Sequence, residues 1–213
     1  MLGTAQLRGI AVVVAAYAAG SVWFGLRPGL AAESESSYLA TRALIAFLLP
    51  TKAAVLLWVF SAISSRQSAW GSDPHGRTAT ERILLRCVIF IGALHGLIIL
   101  RLSEIPWMRP WAPRLALVLF GAVLVSVGNL LPTTRPNLLV GIRTARSLRC
   151  RRLWMELHRV GGYAAVGVGT IVIVAPVVLG LHVGGQVISI AVVLALCVMT
   201  ARYRRLARDY GSL

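Results

Sequence analysis

Residues able to do chemistry are few in this chain and unevenly placed. Of 213 residues only 7 are acidic, against 22 basic ones, and every basic residue except Lys52 is arginine. Lys52 stands about ten residues into an apolar run near 43–63. An ionisable group at that depth is a functional candidate by default. It could bond carbonyls beside Pro50, snorkel to an interface or line a wet cavity. His95 is a second polar group inside an apolar run, and His182 lies beside another. A histidine pair can ligate haem, but these two fall on different helices, and no cofactor is expected. Cys87, Cys150 and Cys197 are scattered without a CxxC pair, which argues against a disulfide scaffold or a zinc knuckle. There is no HExxH, no GxSxG and no GxxxxGK[ST]. No Asp or Glu falls inside an apolar run, so acid–base catalysis and a carboxylate proton relay both lack their residues. The expectation is a protein that is not an enzyme and holds no metal.

What must position these groups is a membrane. The chain is 57% apolar and only 14% charged, with a mean hydropathy of +0.77. A soluble domain is about 45–50% apolar and about 25% charged. A pI near 11.5 would point to nucleic acid in a soluble protein. In a membrane protein it reports basic loops facing anionic head groups, so the lipid bilayer is the expected partner and nucleic acid is not. Six apolar runs approach the length needed to cross about 30 Å of hydrocarbon. They lie near 9–26, 43–63, 83–102, 115–131, 160–181 and 186–201. The first is long for a signal peptide and reads as a retained helix. The fold class expected is all-α, a polytopic helical bundle with a three-span region over 1–110 and a second over 111–213.

The charges orient it. With six spans, one side carries Arg8, Arg66, Arg77, Arg82, Arg86, Arg135, Arg143, Arg146, Arg149, Arg151, Arg152, Arg159, Arg202, Arg204, Arg205 and Arg208. The other carries Arg27, Arg42, Arg101, Arg109 and Arg114. The positive-inside rule then puts both termini in the cytoplasm, as an even number of spans requires. Trp23, Trp58, Trp107 and Trp111 fall near span ends, where aromatic belts account for them. Residues 64–82 read as a polar, solvent-exposed connector.

The segment from Gly128 to Gly162 is different. It packs Gly, Asn, Pro and Arg into a short stretch and ends in a helical pattern. Pro132 and Pro136 disfavour helix at the residue before each. Asn129 and Asn137 can bond nearby backbone as turn residues do. The fourth helix should therefore end at about Leu131 and give way to irregular backbone, which needs an interface, protein or water to cover it. Ser147 is a candidate N-cap. Leu153, Leu157 and Val160 recur at helical spacing beside Trp154, while Arg149, Arg152 and Arg159 can face the other way. That pattern reads as an amphipathic helix lying in the membrane surface. A plain basic anchor loop is the simpler reading of the same residues.

The residues of this segment resemble the signature of the SdpI family of bacterial multi-span membrane proteins. The matching positions are Gly128, Asn129, Pro132, Arg135, Pro136, Asn137, Gly141, Ile142, Arg143, Thr144 and Leu148, then Trp154, His158, Arg159, Gly161 and Gly162. Departures are Ala145-Arg146 where the family has Pro-Trp, and the basic Arg151 and Arg152 before Trp154. The resemblance covers about the last three spans.

The resemblance implies a protein of the bacterial inner membrane that gives immunity to a membrane-active peptide toxin and takes part in signalling its presence. Its partners would be that peptide, or a cytoplasmic or membrane regulator. Arg143 would bind a phosphate or carboxylate through its planar fork. The helix of Trp154, His158 and Arg159 would fasten the loop to the bilayer or a partner. His158 reads as a hydrogen-bonding group rather than a metal ligand. The alternatives are a small permease with Lys52 and His95 along its pore, and a scaffold subunit of a larger complex.

Overall fold

The computed structural model describes residues 74–102, 110–137 and 139–210, with isolated positions at 12, 15, 19, 51, 54, 55, 58 and 107. Lys52 and nearly all of the first two expected spans lie outside the described residues. The described elements are all helical: α1 (Pro74–Leu102), α2 (Ala112–Leu130), a 3-10 turn at Leu131–Thr133, α3 (Ala145–Arg149), α4 (Arg151–Val178) and α5 (Gly180–Asp209). The chain forms two compact units. One comprises residues 1–65 and 88–116, the other 66–87 and 117–213. In the first unit His95 is a buried residue of α1, and Trp111 and Trp107 are exposed. Arg114 lies 5.5 Å over the Trp111 ring and bonds the Pro110 carbonyl.

Among the described residues, three helices are long and apolar enough to cross a membrane: Ala112–Thr133, Arg151–Val178 and Gly180–Asp209. They mark the chain as a membrane protein. At 1.5 Å per residue, the 28 residues of α4 extend about 42 Å. That exceeds the hydrocarbon thickness by about two turns. The excess is the N-terminal part holding Arg151, Arg152, Glu156 and Arg159, so the apolar part runs from Val160. The last turns of α5 carry Arg202, Arg204, Arg205 and Arg208.

Two expectations about boundaries change. Residues 74–82 belong to α1 rather than to an open connector; Pro74 sits at the helix start, where its missing N–H costs nothing. The surface helix expected around Leu153–Val160 is continuous with the apolar run that follows it, within α4. Gly161 and Gly162 do not interrupt it, because a glycine pair weakens a helix by only about 2 kcal/mol relative to alanine, and here both glycines are buried in packing.

Small residues set the helix crossings of the second unit. A Cβ on Gly121 would stand 2.6 Å from the Gly169 carbonyl, and one on Gly169 would stand 2.8 Å from the Gly121 carbonyl. Gly128 and Gly162 repeat the arrangement, at 2.8 Å and 2.6 Å. The pairs run in opposite directions along the two chains, so α2 and α4 are antiparallel with backbones in near contact. Without a hydrophobic force between helices in lipid, such close packing is what holds them. α4 and α5 form a hairpin through Leu179, with Gly184 against Ala175 and Pro176 at one end and Gly161 against Met199 nearer the other. Gly180 takes φ +78° and makes that sharp reversal possible. Arg86 of α1 donates to the Ser126 carbonyl of α2, so this basic group is bound to backbone.

Candidate functional site

The glycine contacts bring the end of α2 over the start of α4, and the intervening loop folds onto the first turns of α4. It begins where α2 ends. Asn129 is an exposed residue of the last turn of α2, so it is helical rather than the turn residue expected. Pro132 opens the 3-10 turn and packs against Gly162. The hydroxyl of Thr133 donates to the Leu130 carbonyl and that of Thr134 to the Leu131 carbonyl, each at 2.7 Å. These bonds satisfy carbonyls that the ending helix leaves open.

Asn137 organises the next stretch, as expected of a turn residue. Its Nδ2 donates to the Arg135 carbonyl at 2.7 Å, and its Oδ1 accepts from the Leu139 and Val140 amides, both at 2.8 Å. One buried side chain thus replaces the secondary structure that Pro136 and its neighbours forgo. Arg135 reaches Met155 Sδ at 3.6 Å, and Pro136 is half-buried.

The cap differs from the one expected. Thr144, not Ser147, is the N-cap of α3. Ser147 sits at N3, where its hydroxyl accepts from the Thr144 amide at 2.8 Å and its own amide donates to Thr144 Oγ1 at 3.0 Å. Ser147 is wholly buried and also donates to the Ile142 carbonyl. It therefore performs the task usually given to Glu or Gln in this reciprocal cap.

The centre of the site is the pair Trp154 and His158, one turn apart on α4 and both fully buried. Their rings stack at a centroid distance of 3.9 Å. Trp154 Nε1 donates to the carbonyl and hydroxyl of Thr134, at 3.2 and 3.3 Å. His158 Nδ1 lies 2.8 Å from the Trp154 carbonyl, and Nε2 accepts from the Ile142 amide at 3.0 Å. The carbonyl can only accept and the amide can only donate. The imidazole is therefore neutral, with its proton on Nδ1. Burial pushes its pKa below the ordinary histidine range, opposed by the bond to the Trp154 carbonyl. Trp154 and His158 thus grip the loop from within; they do not fasten α4 to lipid, because both rings are fully buried, against Thr134 and against Gly141 and Ile142 respectively.

Gly141 explains how the loop comes so close. It has φ +116°, and a Cβ there would lie 1.9 Å from His158 Nε2. Only glycine fits, for both backbone and steric reasons. Arg143 and Arg159 are exposed. Arg159 pairs with Glu156 at 3.0 Å, an exposed i,i+3 contact of small energetic weight. Arg146 donates to the Ala207 carbonyl at 3.3 Å, tying α3 to the end of α5.

Most of the signature positions therefore meet in one latched structure or on its rim, and Asn129 lies at its edge. Lys52 lies outside the described residues, and His95 belongs to the other compact unit. Thr134 is a member that the sequence reading did not single out. The Thr133-Thr134 pair directly after Pro132 was the available sign of a hydroxyl turn. Gly121 and Gly169 were also missed; each lies seven residues from its partner, Gly128 or Gly162, on the same helix. Among the described residues no group of three or more His, Cys, Asp or Glu side chains comes together.

Comparison with curated proteins and with solved structures returns no match. A family model does match, beginning at Thr133, so that Gly128, Asn129 and Pro132 stand just ahead of it. It takes in the latched loop, α3, α4 and most of α5: residues 133–201 are similar to the SdpI/YfhL protein family.

Proposed function

We propose that the protein is a six-span bacterial inner-membrane protein, with both termini cytoplasmic, that gives immunity to a membrane-active peptide toxin and takes part in signalling its presence. It acts by binding rather than by catalysis. The observation that carries this reading is the family match over residues 133–201, which falls on a loop whose polar groups are organised around each other. The resemblance implies the immunity role. The excess of arginine on one side supports the orientation.

The loop works as a rigid platform. Asn137, Thr144 and His158 fix its backbone, so Arg143 stands exposed on a frame that does not need ordering when a ligand arrives. Its guanidinium presents a planar fork to a carboxylate or phosphate on a regulator.

The test is survival of a susceptible bacterial host under challenge with depolarising peptides. The chain is expressed beside Asn137→Ala and Arg143→Lys variants at matched membrane level. Protection by the wild type, reduced in both variants, is the expected result. Arg143→Lys keeps the charge and loses the fork, so full protection by that variant would remove Arg143 from the mechanism. Absence of protection by the wild type against the peptides of its native strain would overturn the immunity reading.

A further inference from the structure

An apolar cleft of about 630 Å³ opens between α2, α4 and α5. Its walls include Phe120 and Leu124 of α2, Val168 of α4, and Ile188 and Leu196 of α5. The polar side chains that line it, Thr144, Thr200 and Tyr203, all stand at the loop end. We propose that this cleft holds one acyl chain of an anionic phospholipid, with the lipid phosphate seated among Arg143, Arg146 and Arg202 at the loop end. The proposal does not depend on the immunity reading.

Three observations carry it. The first is shape. The lining residues of α5 run from Ile188 to Tyr203, which is about 22 Å of helix. One leaflet of hydrocarbon is about 15 Å deep, so a chain entering from the loop end can lie in the cleft for its whole length. The volume is in the range of sites that enclose a small ligand.

The second is charge. Arg143 adjoins Thr144 in the chain and is exposed. Arg146 is placed over the end of α5 by its bond to the Ala207 carbonyl. Arg202 follows Ala195 by two turns of α5, and so falls at the edge of the cleft face, one turn from Met199. These cations surround the polar end and none lines the apolar length. A phosphate diester on an acyl chain has the same polarity along its own axis.

The third is chemistry at the junction. Two hydroxyls and a phenol, from Thr144, Thr200 and Tyr203, stand where apolar wall meets basic rim. They can donate to ester carbonyls and phosphate oxygens, which accept and never donate.

The experiment uses the full chain in detergent, equilibrated with vesicles of equimolar phosphatidylglycerol and phosphatidylcholine, and native mass spectrometry of the retained lipid. The expected result is one tightly held lipid per chain, with phosphatidylglycerol preferred. In Arg202→Gln that preference falls about fivefold, the fold-change for one basic residue near an anionic lipid surface. Ala164→Phe and Ala195→Leu, which fill the cleft from two helices, lose the lipid whatever its head group. Competition needs no variant: lysophosphatidylglycerol displaces the bound lipid, and glycerophosphoglycerol or inorganic phosphate does not. Equal retention of the two lipids, or retention unchanged in a folded cleft-filling variant, would overturn the proposal. So would displacement by inorganic phosphate alone, which would make the site one for free phosphate, or a lipid-free dimer.

Discussion

Gly141→Ala is the sharpest test of the latch. The residue has φ +116°, and the new methyl would stand 1.9 Å from His158 Nε2. A non-glycine residue in that part of backbone space costs about 1–3 kcal/mol. The ring cannot move aside, because it is fully buried, stacked on Trp154 and bonded to the Trp154 carbonyl. The loop must withdraw instead, which removes the bond from the Ile142 amide to Nε2 and about 1 kcal/mol with it. The predicted sum is about 3 kcal/mol, or about 150-fold in the opening equilibrium of the loop. Hydrogen exchange in detergent micelles reads that equilibrium directly at the amides of residues 139–144. Gly167→Ala is the control: nothing lies within 4 Å of a Cβ there, and the helix should gain slightly. If Gly141→Ala leaves the Ile142 amide as protected as in the wild type, the latch described here is wrong.

Two further predictions concern the same unit. The latch should weaken in acid: the folded imidazole of His158 has a lowered pKa, so the unfolded state binds more protons and stability rises with pH. The contribution is present in full above the ordinary histidine value of about 6.5 and is lost as pH falls below it toward the lowered folded value. The difference in thermal midpoint between wild type and His158→Phe should narrow from about pH 7.5 to about pH 5.5; a constant difference would show that the ring does not titrate as described. Gly169→Val should push α4 from α2 and destabilise the chain by about 1–3 kcal/mol, because the new side chain meets the Gly121 carbonyl and Leu124; denaturation in detergent checks it, and a midpoint equal to that of the wild type would sink the close-crossing account.

Much of the site could be read in the residues, for a local reason. Pro132 and Pro136 disfavour helix at the residue before each, and Asn137 bonds the amides two and three residues on, so the loop's start and its centre could be read locally. Thr144 and Ser147 were harder, since both are capping residues at N-cap spacing. Which one caps depends on where the loop lets the helix begin. The amphipathic pattern of Leu153, Trp154 and Leu157 showed a buried face but not what buries it, and lipid and protein both satisfy an apolar stripe.

The sequence by itself determined a membrane protein, an excess of arginine, a break after Leu131 and a family signature, because hydropathy, charge and proline act over a few residues at a time. Only the tertiary structure decided that Trp154 and His158 turn inward, that His158 is neutral with its proton on Nδ1, and that Gly141 is required by a ring seventeen residues away. Those facts depend on the Gly121–Gly169 and Gly128–Gly162 contacts, which carry the end of α2 to the start of α4. A spacing of seven residues on each helix is visible in the chain. That the two spacings meet face to face is a property of how the helices pack.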